Sequence, residues 1–171
     1  MSEKTKLLFL LSLVILVNCK KITNDKLDAQ LAKEFYDSIK SVNAQSFEYR
    51  YDGLAPQESY FVNGKIRFLK FRTSGEDGFA ERKIIFNNQT DSIEKYILRE
   101  VIPNWETYNG NVYGDMHDEY FDTIYIIYPN KKQIFTYSKN KLVDSTFKPN
   151  IGGTNYIYTM KKQTEKKYND R

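Results

Sequence analysis

Chemically versatile side chains are concentrated in residues 103–119. This stretch holds the only tryptophan of the chain, Trp105, and the only histidine, His117, beside Tyr108, Tyr113, Asp115, Asp118 and Glu119. Oxygen ligands at this density suit a hard divalent cation, and a histidine among carboxylates suits proton transfer. Neither chemistry is carried through. Against the pattern of a calcium-binding EF-hand loop, Asn109 replaces the first Asp, Tyr113 sits at a ligand position and Glu119 arrives one residue early. A histidine-dependent triad would have to use His117, yet no Gly-x-Ser-x-Gly elbow or spare cysteine supplies a nucleophile, and zinc needs ligands beyond a lone histidine. These residues therefore predict no metal, no cofactor and no enzyme. Their types suit contact instead. The connection is 17 residues long, which is more than a compact domain normally spends on a loop, and its aromatic content argues against simple disorder. The expectation is a non-enzymatic surface that meets a protein or glycan partner through Trp105, Tyr108, Tyr113, Asp115, His117, Asp118 and Glu119.

Cys19 is the second distinctive position, because it is the only cysteine in the chain and so has no internal disulfide partner. It follows Lys4 and Lys6 and the 11-residue apolar run Leu7–Val17, too short to span a bilayer as a helix, where about 20 residues are needed. A charged start followed by a short apolar core is the layout of a secretory signal peptide. Leu16-Val17-Asn18-Cys19 resembles the lipobox of bacterial lipoproteins, with Asn18 where Gly, Ala or Ser is usual. The resemblance implies cleavage before Cys19, a lipidated sulfur and three acyl chains, and hence attachment to a lipid bilayer. It also implies a place in the cell envelope, at the outer membrane facing the periplasm, since Lys20 is not the Asp that holds some lipoproteins at the inner membrane.

Charge narrows the partners. The formal net charge is +4, and residues 161–171 carry five basic side chains against two acidic ones. The body between signal and tail is neutral overall, with no basic face or recognition motif for nucleic acid. The tail reads as a basic, solvated C-terminal end.

The elements that must position these residues follow from periodicity. Leu27, Leu31, Phe35 and Ile39 recur every four residues with Val42 three further on, which predicts an amphipathic helix from about Asp25 to Val42, with Asn24 or Asp25 as its cap. Beyond Ser46, short runs rich in Tyr, Phe, Ile and Thr alternate with polar turns. Residues 58–62 and 65–72 flank Asn63-Gly64, a type I′ hairpin signal. Residues 79–87 and 92–101 flank a polar turn that contains the triplet Asn88-Gln89-Thr90, and residues 120–128 and 133–138 flank Pro129–Lys132. The chain turns again into residues 142–147, and a last strand is expected at 155–160 after Gly152-Gly153. The predicted domain plan is a signal peptide at 1–18, the lipidated Cys19 and tether at 19–24, one domain at 25–160 and a tail at 161–171. The fold class is α+β and mainly β, with an N-terminal helix packed on an antiparallel meander that is either open, curled or a partly closed barrel.

Tyr60-Phe-Val-Asn-Gly-Lys-Ile66, together with the Cys-Lys-Lys start, resembles small, largely uncharacterised lipoproteins of Bacteroidota. That resemblance implies tandem aromatic hairpins and no particular activity. Two other functions fit the same pattern: a periplasmic carrier of a hydrophobic ligand held in a curled sheet, and an immunity-type protein that neutralises a secreted toxin.

Overall fold

The computed structural model describes residues 23–51, 57–75, 78–103, 120–147 and 154–171. Helix α1 (Asp25–Ser41) leads into eight strands: β1 (Gln45–Phe47), β2 (Gln57–Val62), β3 (Lys65–Ser74), β4 (Phe79–Phe86), β5 (Ile93–Pro103), β6 (Tyr120–Tyr128), β7 (Gln133–Ser138) and β8 (Lys141–Asp144). A second helix, α2 (Thr154–Asn169), closes the chain. Every strand pairs antiparallel with its neighbours in sequence, in the order β1 to β8. The sheet is an open meander, as the hairpin pattern predicts. At the β2–β3 turn Asn63 (φ 52°) and Gly64 (φ 75°) both take the left-handed backbone that a type I′ turn requires.

Both faces of the sheet are apolar because each carries a helix. On one face, Leu31, Phe35 and Ile39 of α1 are buried against Phe68, Ile97, Ile124 and Ile126. The stripe at four-residue spacing is thus the core-facing stripe of α1, as periodicity predicts. On the other face, Ile157 and Met160 of α2 join the largest core cluster, which includes Phe61, Leu69, Phe71, Ile84, Phe86, Tyr96 and Leu98. The register assigns these faces consistently. Leu69 pairs with Ile84 on the α2 side, Ile84 with Tyr96, and Tyr96 with Ile127. A bulge between Tyr60 and Phe61 lets Ile66 and Phe68 point to opposite faces although they are two residues apart.

Residues 155–160 are helix, where strand chemistry was expected, and the basic stretch from 161 continues that helix to Asn169. The Tyr, Ile and Thr content of 155–160 mimics a strand, but the buried positions Ile157, Met160, Lys161 and Thr164 follow helical spacing. A lysine and a threonine in that stripe conceal its period. Lys161 is buried because Asp91 (2.8 Å) and Glu165 (2.5 Å) neutralise it and the Phe86 ring lies 5.3 Å away. Glu165 also accepts a hydrogen bond from the backbone N–H of Ile66 (2.8 Å), and Gln57 donates to Thr164 (3.0 Å). Tyr168 stacks on Phe61 at 3.9 Å, and the Arg171 guanidinium lies 3.8 Å over Phe47. The sheet edge at β8 is short, and its pairing with β7 shifts register between Thr136 and Tyr137, leaving Leu142 and Val143 exposed.

If helical packing rather than strand alternation holds the C-terminus, Ile157→Ala and Met160→Ala should each lower stability by about 2–4 kcal/mol. The outward Lys162→Ala should change it by less than about 0.5 kcal/mol. Urea unfolding of the three variants measures this, and an unchanged Met160→Ala would contradict the helix.

Candidate functional site

The segment 103–119 leaves and rejoins the sheet at one end of the β5–β6 pair. Pro103 and Tyr120 are register partners, as are Ile102 and Phe121. Trp105, Tyr108, Tyr113, Asp115, His117, Asp118 and Glu119 lie outside the described residues, as does Cys19. The stem that carries the segment exposes apolar surface. Ile102 is 48% exposed and Phe121 47%, side by side on the α2 face of the sheet but beyond the buried core. Gly78 closes the adjoining β3–β4 end, where a Cβ would stand 2.2 Å from the carbonyl oxygen of Val101, so any side chain there would push the strands apart.

Just behind the stem, on the other face, Arg99 of β5 sits among three carboxylates. Its guanidinium donates to both oxygens of Asp122 (3.0 and 2.8 Å), to Asp28 (2.9 Å) and to Asp25 (2.7 Å). The cluster continues across the sheet under α1. Lys83 pairs with Asp28 (2.9 Å) and Glu81 (2.5 Å), and Lys70 pairs with Glu58 (2.9 Å) while donating to the Tyr36 hydroxyl (3.0 Å). The Tyr36 and Tyr60 hydroxyls both donate to Glu58, at 2.8 and 2.9 Å. Register places Glu58 directly opposite Lys70, and Lys70 opposite Lys83, a like-charge juxtaposition that the intervening carboxylates neutralise.

Asn24 pins the start of α1 to this end of the sheet. It does not cap the helix with its side chain. Its side-chain amide instead donates to the carbonyls of Asp122 (2.6 Å) and Tyr137 (3.3 Å), and its Oδ1 accepts from the backbone N–H of Asn140 (2.7 Å). Its own backbone N–H donates to Asp122 (2.9 Å), and Asn140 in turn donates to the carbonyl of Thr23. One fully buried asparagine thus joins the helix, two strands and the β7–β8 turn. The sequence names Asn24 as a helix cap; its long-range role is invisible there because all of its side-chain partners lie about a hundred residues away.

The electrostatics of this region favour permanent charge over proton transfer. Burial acts to raise the pKa of Asp28 and Glu58, but hydrogen bonds and charge from Lys83 and Arg99, and from Lys70 and the two tyrosines, outweigh it, so both carboxyls lie below their ordinary values. Burial acts against the cations of Lys70 and Arg99, but hydrogen bonds with Tyr36 and Glu58 for Lys70, and with Asp122 and Asp25 for Arg99, override it upward. Burial, then Glu58, pushes the Tyr60 phenol up, and burial does the same for Tyr36. Each of these shifts moves its group's titration further from neutral pH, the reverse of what a general acid or base needs. Among the described residues, no group of three or more His, Cys, Asp or Glu could hold a metal ion.

The folded-state pKa of Asp28 is depressed below 3.8, so its contribution is complete above that value and is lost as pH falls through the lower, folded pKa. Asp28→Asn should cost about 2 kcal/mol at neutral pH and flatten the acid limb of the stability–pH curve. Asp37→Asn, whose partner Lys33 is exposed, should leave both nearly unchanged. Denaturant midpoints from neutrality down into the acid range test the pair. By the same measure Asn24→Ala should cost about 2–4 kcal/mol, since it strips buried carbonyls and an N–H of partners.

No family model matches this chain, and neither a curated protein nor a solved structure matches it.

Proposed function

We propose that the chain is an envelope lipoprotein, anchored through an acylated Cys19, whose non-enzymatic domain binds a protein or glycan partner through residues 103–119. The observation that carries the binding role is the stem. The antiparallel pair β5–β6 extends to exposed Ile102, Tyr120 and Phe121, and between its ends runs the segment that holds Trp105, Tyr108, Tyr113 and His117. A rigid scaffold that offers one aromatic connection is the usual arrangement of a binding domain. The charge network supports a structural rather than catalytic use of the polar residues beneath it. Among the described residues, no helix is long and apolar enough to cross a membrane.

The carrier function draws less support. A ligand carrier needs an apolar cavity of several hundred Å³, whereas both faces of this sheet are filled by the protein's own helices, with Leu69, Ile84, Ile124 and Ile157 completely buried. A cleft of about 700 Å³ does lie beside β1 and β2, but Glu48, Arg50, Gln57 and Glu58 make its lining polar.

The acylated chain should capture its partner from envelope extracts, and the Trp105→Ala, Tyr108→Ala, Tyr113→Ala triple variant should lose that capture while keeping the wild-type unfolding midpoint. Undiminished capture by a folded triple variant would remove the segment's assigned role.

A further inference from the structure

The distance between Cys19 and the folded domain fixes which end of the sheet meets the bilayer. It does so given the acylation proposed above. From Cys19 to Thr23, the first described residue, there are four residue steps, and a fully extended chain covers at most about 3.6 Å per step, or about 14 Å. Thr23 itself is fixed. Its carbonyl accepts from Asn140 in the β7–β8 turn, and the next residue, Asn24, is bonded to Asp122 and Tyr137. Asp122 is the third residue of β6 and Tyr137 the last but one of β7, so the chain enters the domain within about 7 Å of one end of the sheet.

The other end is out of reach. β6 is nine residues long, about 30 Å at strand rise, and the turn Pro129–Lys132 lies at its far end. An acylated Cys19 cannot hold that turn at the headgroups without detaching Asn24 from its buried partners. The near end comprises the β5–β6 stem, the β7–β8 turn and the first turn of α1. Among the described residues, its exposed side chains include apolar and cationic ones suited to a lipid interface, beside the exposed carboxylate of Asp25. Ile102 and Phe121 are apolar and about half exposed, and Lys26, Lys139 and Lys141 are exposed cations placed to reach phosphate groups.

We propose that this end of the domain rests on the phospholipid bilayer that holds Cys19, with Ile102 and Phe121 in the headgroup region and Lys26, Lys139 and Lys141 around them. The domain then stands with its strands directed away from the membrane. The register partners Pro103 and Tyr120 lie on the membrane side, so a partner bound by the segment between them is met at the membrane surface, and the β4–β5 and β6–β7 turns face outward.

Full-length acylated protein tests this after reconstitution into vesicles of phosphatidylethanolamine and phosphatidylglycerol with brominated acyl chains, which quench fluorophores on contact. With Cys19 acylated, an engineered cysteine is the one free thiol for labelling. Labels on Phe121→Cys and, independently, Ile102→Cys should be quenched several-fold more than a label on Lys131→Cys in the distal turn. All three positions are at the surface, so the substitutions leave the core intact. Equal quenching at the three sites, or none at 102 and 121, in protein whose mass shows the acyl chains would overturn the orientation while sparing the anchor. A mass without acyl chains would overturn the anchor, and the orientation with it.

Discussion

Arg99 and the three carboxylates around it set the position of α1, and with it the place where the chain joins the sheet. Its side chain is 13% exposed, and that of Lys83, the next cation along, only 3%. Charges so far out of water are tolerated only with well-placed partners, and here the partners come from different elements: Asp25 and Asp28 from α1, Glu81 from β4 and Asp122 from β6. The apolar stripe of α1 would accept a shift of one turn along the sheet, since Leu, Phe and Ile recur at the same spacing. The ionic contacts would not, because a displaced helix leaves a desolvated guanidinium facing hydrocarbon. Hydrophobic burial holds the helix down, and charge pairing selects its register.

The two faces of the sheet are secured by different means. Under α1 a belt of alternating charges crosses β2 to β6. Under α2 the contacts are mostly aromatic, with Tyr168 on Phe61 and Phe47, Tyr156 near Phe71 and Tyr158 near Phe86. One buried ion pair, Lys161 with Glu165, is shared with a backbone N–H of β3. This division explains the texture of the strands. They alternate between faces of different chemistry, one Ile-rich with charged ends and one packed with rings, so simple apolar–polar alternation is weak throughout.

Much of this architecture was legible in the residues. The i, i+4 stripe located α1 to within a residue at its C-terminus, and Asn63-Gly64 located a hairpin whose dihedral angles match the turn signal. Residues 120–128 and 133–138 are strands with the expected boundaries. Two features were not legible. The three-residue strand β1 is too short to display a period. Helix α2 was hidden by β-branched and aromatic residues at its start and by Lys161 and Thr164 on its buried side, whose partners Asp91 and Gln57 are remote in sequence. Of the candidate site, composition revealed the aromatic and acidic segment. The ion cluster behind it and the clasp formed by Asn24 depend on long-range pairing, which periodicity does not report.

The meander has a kinetic consequence. Each strand pairs with the one made just before it, so hairpins can assemble in order as the polypeptide emerges, at little loop-closure cost. The face that receives α2 is the exception. Phe47, Phe61, Leu69 and Phe86 find their cover in helix α2, far along the chain, through contacts such as Tyr168 with Gln45, which are 123 residues apart. Until α2 has formed, those rings stand bare. For that interval an unfinished molecule resembles an adhesive sheet, and the closing helix is what turns it into a self-contained one.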